Sequence, residues 1–219
     1  MTISLLPSLP DSFLPQLMAG VALNFEIALT SLLMGLVVGV PLAFAKLAGK
    51  AGRLVYGATV PLLRAAPTFV VMFFLLNVMP QAFSLFGHNV AIAPSAVVAL
   101  SLVPYSASYV SENGAEALGH WREGSRLAAL LLLPNLARAF FVMVMSSSAG
   151  AAIGVTEGIT VILRQAEKLP ALGDRLKLFA LGILVFGCLM QTGFVGVMWL
   201  RRYLSAKTAG SPALAAAQE

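Results

Sequence analysis

Residues 21–45 read VALNFEIALTSLLMGLVVGVPLAFA, a run in which Glu26 is the lone charged side chain. A helix clothed this way belongs in a hydrocarbon layer, which takes about 20 apolar residues to cross. Comparable runs follow at about 55–78, 92–110, 127–153 and 178–200, so the sequence predicts five helical spans. Across 219 residues only 11% are charged, and mean hydropathy is +0.90. A soluble domain carries about 25% charged residues. Too little polar surface is left to face water, and the fold class that follows is an all-α integral membrane protein.

Between the runs no polar stretch is long enough to bury a core of its own. Residues 1–204 therefore read as a single transmembrane domain, and 205–219, small and polar, as a disordered tail. Asp11 to Pro15 reads as a turn before a short amphipathic entry. The first 45 residues contain no Lys or Arg, so no basic n-region of a cleavable signal is seen, and the first span is expected to act as its own insertion signal. The net charge of +5 does not indicate nucleic acid, because the basic residues stand singly or in pairs at the ends of apolar runs. Such residues set orientation. Placing the N-terminus outside and the C-terminus in the cytoplasm puts Lys46, Lys50, Arg53, Arg64, Arg122, Arg126, Arg201, Arg202 and Lys207 on the cytoplasmic side. Arg164, Lys168, Arg175 and Lys177 fall outside, in GVTEGITVILRQAEKLPALGD, which reads as a short amphipathic helix. Cys188 is the single cysteine and lies in an apolar run, which excludes an internal disulfide. There is no phosphate-cradling G-x-x-x-x-G-K-[ST] loop, no H-E-x-x-H and no G-x-S-x-G. No catalytic residue and no metal site is expected; His120 and Glu116 at i, i+4 offer two ligands without a third.

Polar residues inside the apolar runs are the candidates for function. In ALSLVPYSASYVSENGAE, Ser101, Tyr105, Ser108 and Glu112 recur at helical spacing and share a face. Ser146, Ser147 and Ser148 open a small-residue stretch in the fourth run, and Asn77 closes the second. Two readings stand for all of them: hydroxyls and amides bonded within helix–helix interfaces, or the lining of a solute pathway. The segment GHWREGSRLAALLLLP is different, since Gly119, His120, Arg122, Glu123, Gly124, Ser125 and Arg126 concentrate charge at one membrane edge. It reads as a short amphipathic helix across the membrane surface, a device for docking a cytoplasmic partner.

Taken in order, several of these stretches resemble the permease subunit of bacterial ATP-binding-cassette importers of the polar amino acid and opine uptake type. GVALNFEIALTSLLMGLVVGVPLAFAKLAG is similar to the family's first span. VPLLRAAPTFVVMFFLLNVMP is similar to its Phe-Arg-Gly-Thr-Pro stretch, with Arg64 and Pro67 in the Arg and Pro places and Ala65 and Ala66 replacing Gly and Thr. YSASYVSE stands where the family has Ala-Tyr and then Glu, and IGVTEGITVILRQAEKL resembles its Ile-Gly-Val-x-Glu-Leu stretch. The family's coupling loop would fall at about 112–127, with Gly119-His120 for Gly-Gln and Glu123-Gly124-Ser125 for Glu-Ala-Ala. An extra residue precedes Glu123, both alanines are lost, Ala129 replaces a Gly, and the stretch to Ile153 is short for the family.

The resemblance implies a five-span type I importer-like permease in the bacterial inner (cell) membrane, forming half of a translocation pathway. It implies a second permease chain (identical or related), a cytoplasmic ATPase that carries ATP and Mg, an external solute-binding protein, and no cofactor on this chain. The divergent coupling segment leaves two alternatives: a degenerate structural or regulatory half beside a fully coupled partner, or a stand-alone carrier or channel.

Overall fold

The computed structural model describes residues 9–79, 82–85, 88–125, 130 and 132–209, with side chains described outside 82–91 and 207–209. In chain order the elements are α1 (Phe13–Leu47), α2 (Lys50–Ala65), α3 (Thr68–Val78), β1 (Ala82–Leu85), β2 (His88–Ala91), α4 (Pro94–Arg122), α5 (Leu132–Ser146), a 3₁₀ segment (Ser147–Ile153), α6 (Gly158–Glu167) and α7 (Leu172–Ala209). The two strands form an antiparallel hairpin with Ala82 opposite Ala91, a small addition to an otherwise helical chain.

Among the described residues three helices are long and apolar enough to cross a membrane: α1, α5 with its 3₁₀ continuation, and α7. The chain is a multi-pass membrane protein. The second apolar run is not one straight rod. It breaks at Ala66–Pro67 into α2 and α3, which meet at 89° and count as a fourth candidate if taken as one broken span. Proline explains the break, because its ring disfavours helical backbone in the residue before it, and Ala66 is extended (φ −68°, ψ 111°). The third run forms a helix of 29 residues, but its serines and tyrosines leave it outside the apolar set.

That polar helix is central. Along α1, Ser31, Gly35, Gly39 and Ala43 recur every fourth residue and are all buried, which puts a stripe of small residues on one face. Against it lie Ser106, Ala107, Val110 and Gly114 of α4. A Cβ on Gly35 would collide with the Ser106 side chain, one on Gly39 would lie 2.6 Å from the Ala107 carbonyl, and one on Gly114 would lie 3.2 Å from the Ala43 methyl. Small residues let two backbones approach and gain dispersion contacts in lipid, where no hydrophobic effect drives helices together. Around this pair, Ile27, Met72, Val98, Leu102, Met143, Val144 and Met190 from five helices form one buried apolar cluster. A second cluster joins Phe13, Leu17 and Val21 of α1 to Val161, Ile162 and Ala166 of α6 and Leu178 of α7.

Several boundaries differ from the sequence reading. α1 begins at Phe13, directly after a turn at Asp11–Ser12, so the expected amphipathic entry is part of the span itself. α7 continues to Ala209, past the expected start of the tail at 205; residues 210–219 lie outside the described residues.

Candidate functional site

The most elaborate polar cluster is buried where α1, the 3₁₀ segment and the start of α6 converge. Glu157 is 0% exposed and caps α6. Its carboxylate accepts hydrogen bonds from the Ile159 N–H (2.9 Å), the Thr160 N–H (2.8 Å), the Thr160 hydroxyl (2.9 Å) and Asn24 Nδ2 (3.1 Å). Asn24, also 0% exposed, donates through Nδ2 to Ser147 Oγ (2.8 Å) and accepts from the Gly158 N–H (3.1 Å) through Oδ1. No cation pairs with Glu157 among the described residues. The unsatisfied N–H groups and partial positive charge of a helix N-terminus stand in for one, and a buried polar group costs far less when its hydrogen bonds are complete. The backbones are close here: a Cβ on Gly20 of α1 would lie 2.8 Å from the Glu157 carbonyl carbon and the Gly158 nitrogen.

Beside this knot a cleft of about 770 Å³ opens between α1 and α6. Gln16, Gly20 and Glu26 line one wall, and Thr156, Arg164, Gln165 and Lys168 the other. Glu26, Arg164 and Lys168 are exposed and form no ion pair among the described residues, so both signs of charge face the same space.

The polar residues singled out from the sequence mostly bond inward. Ser101 donates to the Val98 carbonyl (2.7 Å), Ser108 to Tyr105 (2.8 Å), Ser146 to Val142 (2.9 Å) and Asn77 Nδ2 to Phe73 (2.7 Å), each within its own helix. This back-bonding is how hydroxyls are accommodated in helices away from water. Tyr105 is half-buried with its ring 6.1 Å from that of Tyr109. Ser147 belongs to the Glu157 knot and donates to the Val144 carbonyl (2.7 Å), while Ser148 is half-buried in the 3₁₀ segment. Glu112 is paired with Arg64 of α2 at 3.0 Å. None of these residues lines the α1–α6 cleft.

The first part of the charged segment belongs to α4, while residues 126–129 lie outside the described residues. Glu112, Glu116, Gly119, His120 and Arg122 continue α4 for three more turns, because no proline interrupts it and Ala115 and Ala117 remain buried. Glu123 is the C-cap and Gly124 takes the left-handed conformation (φ 83°). The Ser125 N–H then reaches the His120 carbonyl (2.9 Å) and the Gly124 N–H the Trp121 carbonyl (3.1 Å). This pair of bonds is the Schellman motif, which closes a helix on a glycine. His120 lies 3.9 Å from Glu116 and 3.6 Å from Glu123, all substantially exposed. Arg126 lies outside the described residues.

Sequence reasoning missed Asn24 and counted Glu157 only as an offset to nearby basic residues. The available signals were an amide in the middle of an oily run and a carboxylate one residue ahead of an amphipathic stretch, where a helix cap belongs.

No known family model matches the chain, and no curated protein matches its sequence. Its fold is similar to a solved chain described as "Crystal structure of an amino acid ABC transporter with histidines", with a TM-score of 0.63 and 18% identity, covering 88% of this chain and 95% of that one. At that identity the likeness is one of fold.

Proposed function

We propose that the chain is the permease subunit of an ATP-driven importer for polar amino acids or related small polar solutes. The observation that carries this reading is the fold likeness to a chain of an amino acid ABC transporter over 88% of the length. The family-like stretches found in the sequence support it. In this reading the broken α2–α3 pair is one span and α4 another, giving five, with the N-terminus outside and the C-terminus in the cytoplasm of the bacterial inner membrane. The chain forms half of a translocation pathway beside an identical or related permease, receives solute from an external binding protein, and carries no catalytic residue. The segment from Gly119, in the last turn of α4, to Arg126 docks a cytoplasmic ATPase that holds ATP and Mg. The α1–α6 cleft, with Glu26 against Arg164 and Lys168, suits the ammonium and carboxylate of a zwitterionic solute.

The test is co-expression with a cognate ATPase, followed by co-purification and solute-stimulated ATP hydrolysis. Glu123→Lys is expected to weaken ATPase association by about 2–5 kcal/mol, as loss of a docking charge pair does. Undiminished association together with intact stimulated hydrolysis overturns the docking assignment. The replacement of the family's two alanines by Gly124 and Ser125 favours a second reading, a weakly coupled half working beside a competent partner. A grafted Glu-Ala-Ala loop that lowers transport would rule it out.

A further inference from the structure

One face of α7 carries a groove of about 410 Å³, walled by Phe25, Phe141, Leu189, Gly193, Val197 and Leu200. It exists because two residues of α7 lack side chains. Phe141 packs directly over Gly193, whereas a Cβ on Gly196, which also lines the groove, would meet nothing within 4 Å. Thr192 adds no free donor, since its hydroxyl donates to the Cys188 carbonyl (2.8 Å). From Leu189 to Leu200 the groove follows α7 for about 16 Å at the 1.5 Å rise of a helix. Spread over that length, 410 Å³ leaves a cross-section of about 26 Å². A groove this narrow accepts an extended hydrocarbon chain along its length, whereas a helix about 10–12 Å across could lay only single side chains into it.

The groove ends in charge. Arg201 follows Val197 by one turn, on the groove's side of α7, and forms no ion pair among the described residues. Trp199 stacks on Tyr203 at 5.5 Å and 14°, both more than half exposed, in the manner of side chains that sit at the headgroup level. Arg201 also lines a polar cleft of about 210 Å³ with Asn113, Glu116, His120 and Asn135, and Glu116 forms no ion pair with it. We propose that this groove is a binding site for an anionic phospholipid, one acyl chain lying between Phe141 and Leu200 and the phosphate held by Arg201.

Native mass spectrometry of the purified chain, loaded with phosphatidylglycerol or phosphatidylcholine, tests it. The wild type is expected to retain one phosphatidylglycerol in preference to phosphatidylcholine. R201Q should weaken that preference by about fivefold, the increment a basic residue contributes near an anionic membrane surface. Gly196→Leu fills the open part of the groove without meeting packed atoms, and should abolish retention of both lipids while leaving the thermal unfolding midpoint in place. Equal retention of the two lipids by the wild type overturns the proposal, as does retention untouched by both variants. A shift from dimer to monomer in Gly196→Leu would also overturn it, assigning the groove to a second copy instead.

Discussion

At the scale of single residues, the chain places its strongest polar interactions where they complete backbone groups. Glu157 satisfies two N–H groups at the start of α6 and, through Asn24, fastens that helix to α1. Glu157→Gln keeps one acceptor but turns an amide donor toward groups that already donate. The expected loss is about 1–3 kcal/mol, the cost of leaving a buried donor unsatisfied, read as a lower unfolding midpoint in detergent; an unchanged midpoint would show that the knot contributes no stability. Gly124 is another residue whose identity the backbone dictates. Gly124→Val forces a β-branched side chain into the left-handed region at a cost of about 1–2 kcal/mol. It should fray the end of α4, seen as faster tryptic cleavage after Arg122 with the global midpoint little changed.

Among elements, α1 and α4 form the seam on which the rest is assembled. The stripe Ser31, Gly35, Gly39 and Ala43 was legible in the sequence as small residues at four-residue spacing, but so were other glycines that turn out to face open space, such as Gly57 and Gly119. Only the partner helix shows which ones matter. Gly35→Val places a branched side chain where Ser106 already sits. Overpacking of this kind costs about 1–3 kcal/mol, and the variant should give less monodisperse protein on size-exclusion chromatography, while Gly57→Val should not. The two buried hydroxyls without partners among the described residues, Ser31 and Ser106, lie along this same seam. Small size explains their choice better than hydrogen bonding does.

For the whole molecule, the polar members of the family-like stretches act as ties between distant parts. Arg64, from the stretch at the α2–α3 elbow, meets Glu112, from the stretch on α4, at 3.0 Å, and Glu157 joins α6 to α1. The Arg64 and Glu112 side chains are 67% and 31% exposed, so the pair contributes at most about 1 kcal/mol to stability. Its larger effect is to orient a bent hairpin that has few other polar anchors. Arg64→Glu should leave the unfolding midpoint within a few degrees yet make residues 50–78 exchange amide hydrogens faster, and the swap R64E/E112R should restore the wild-type rate. Unchanged exchange in Arg64→Glu would show that apolar packing alone holds the elbow.

Hydropathy along the chain was enough to establish a multi-pass helical membrane protein, to place its apolar runs in order, and to identify the amphipathic helix at 158–167. These properties depend on local composition and period, which bilayer thickness and helix geometry translate directly into spans. Pro67 lies inside a run that read as one span, and only the structure shows the break there and its 89° angle. Likewise the charged segment from Gly119 read as a surface helix, because charge in an oily chain looks like an exit from the membrane. Tertiary structure decided that Gly119 to Arg122 still belong to α4, since burial of Ala115 and Ala117 keeps that helix continuous to its glycine stop. It also decided that Asn24, Ser147 and Glu157, separated by 123 and 133 residues in the chain, form one knot. A buried polar group needs partners to complete its hydrogen bonds, and where those partners come from depends on which helices pack together, a property no local window of sequence contains.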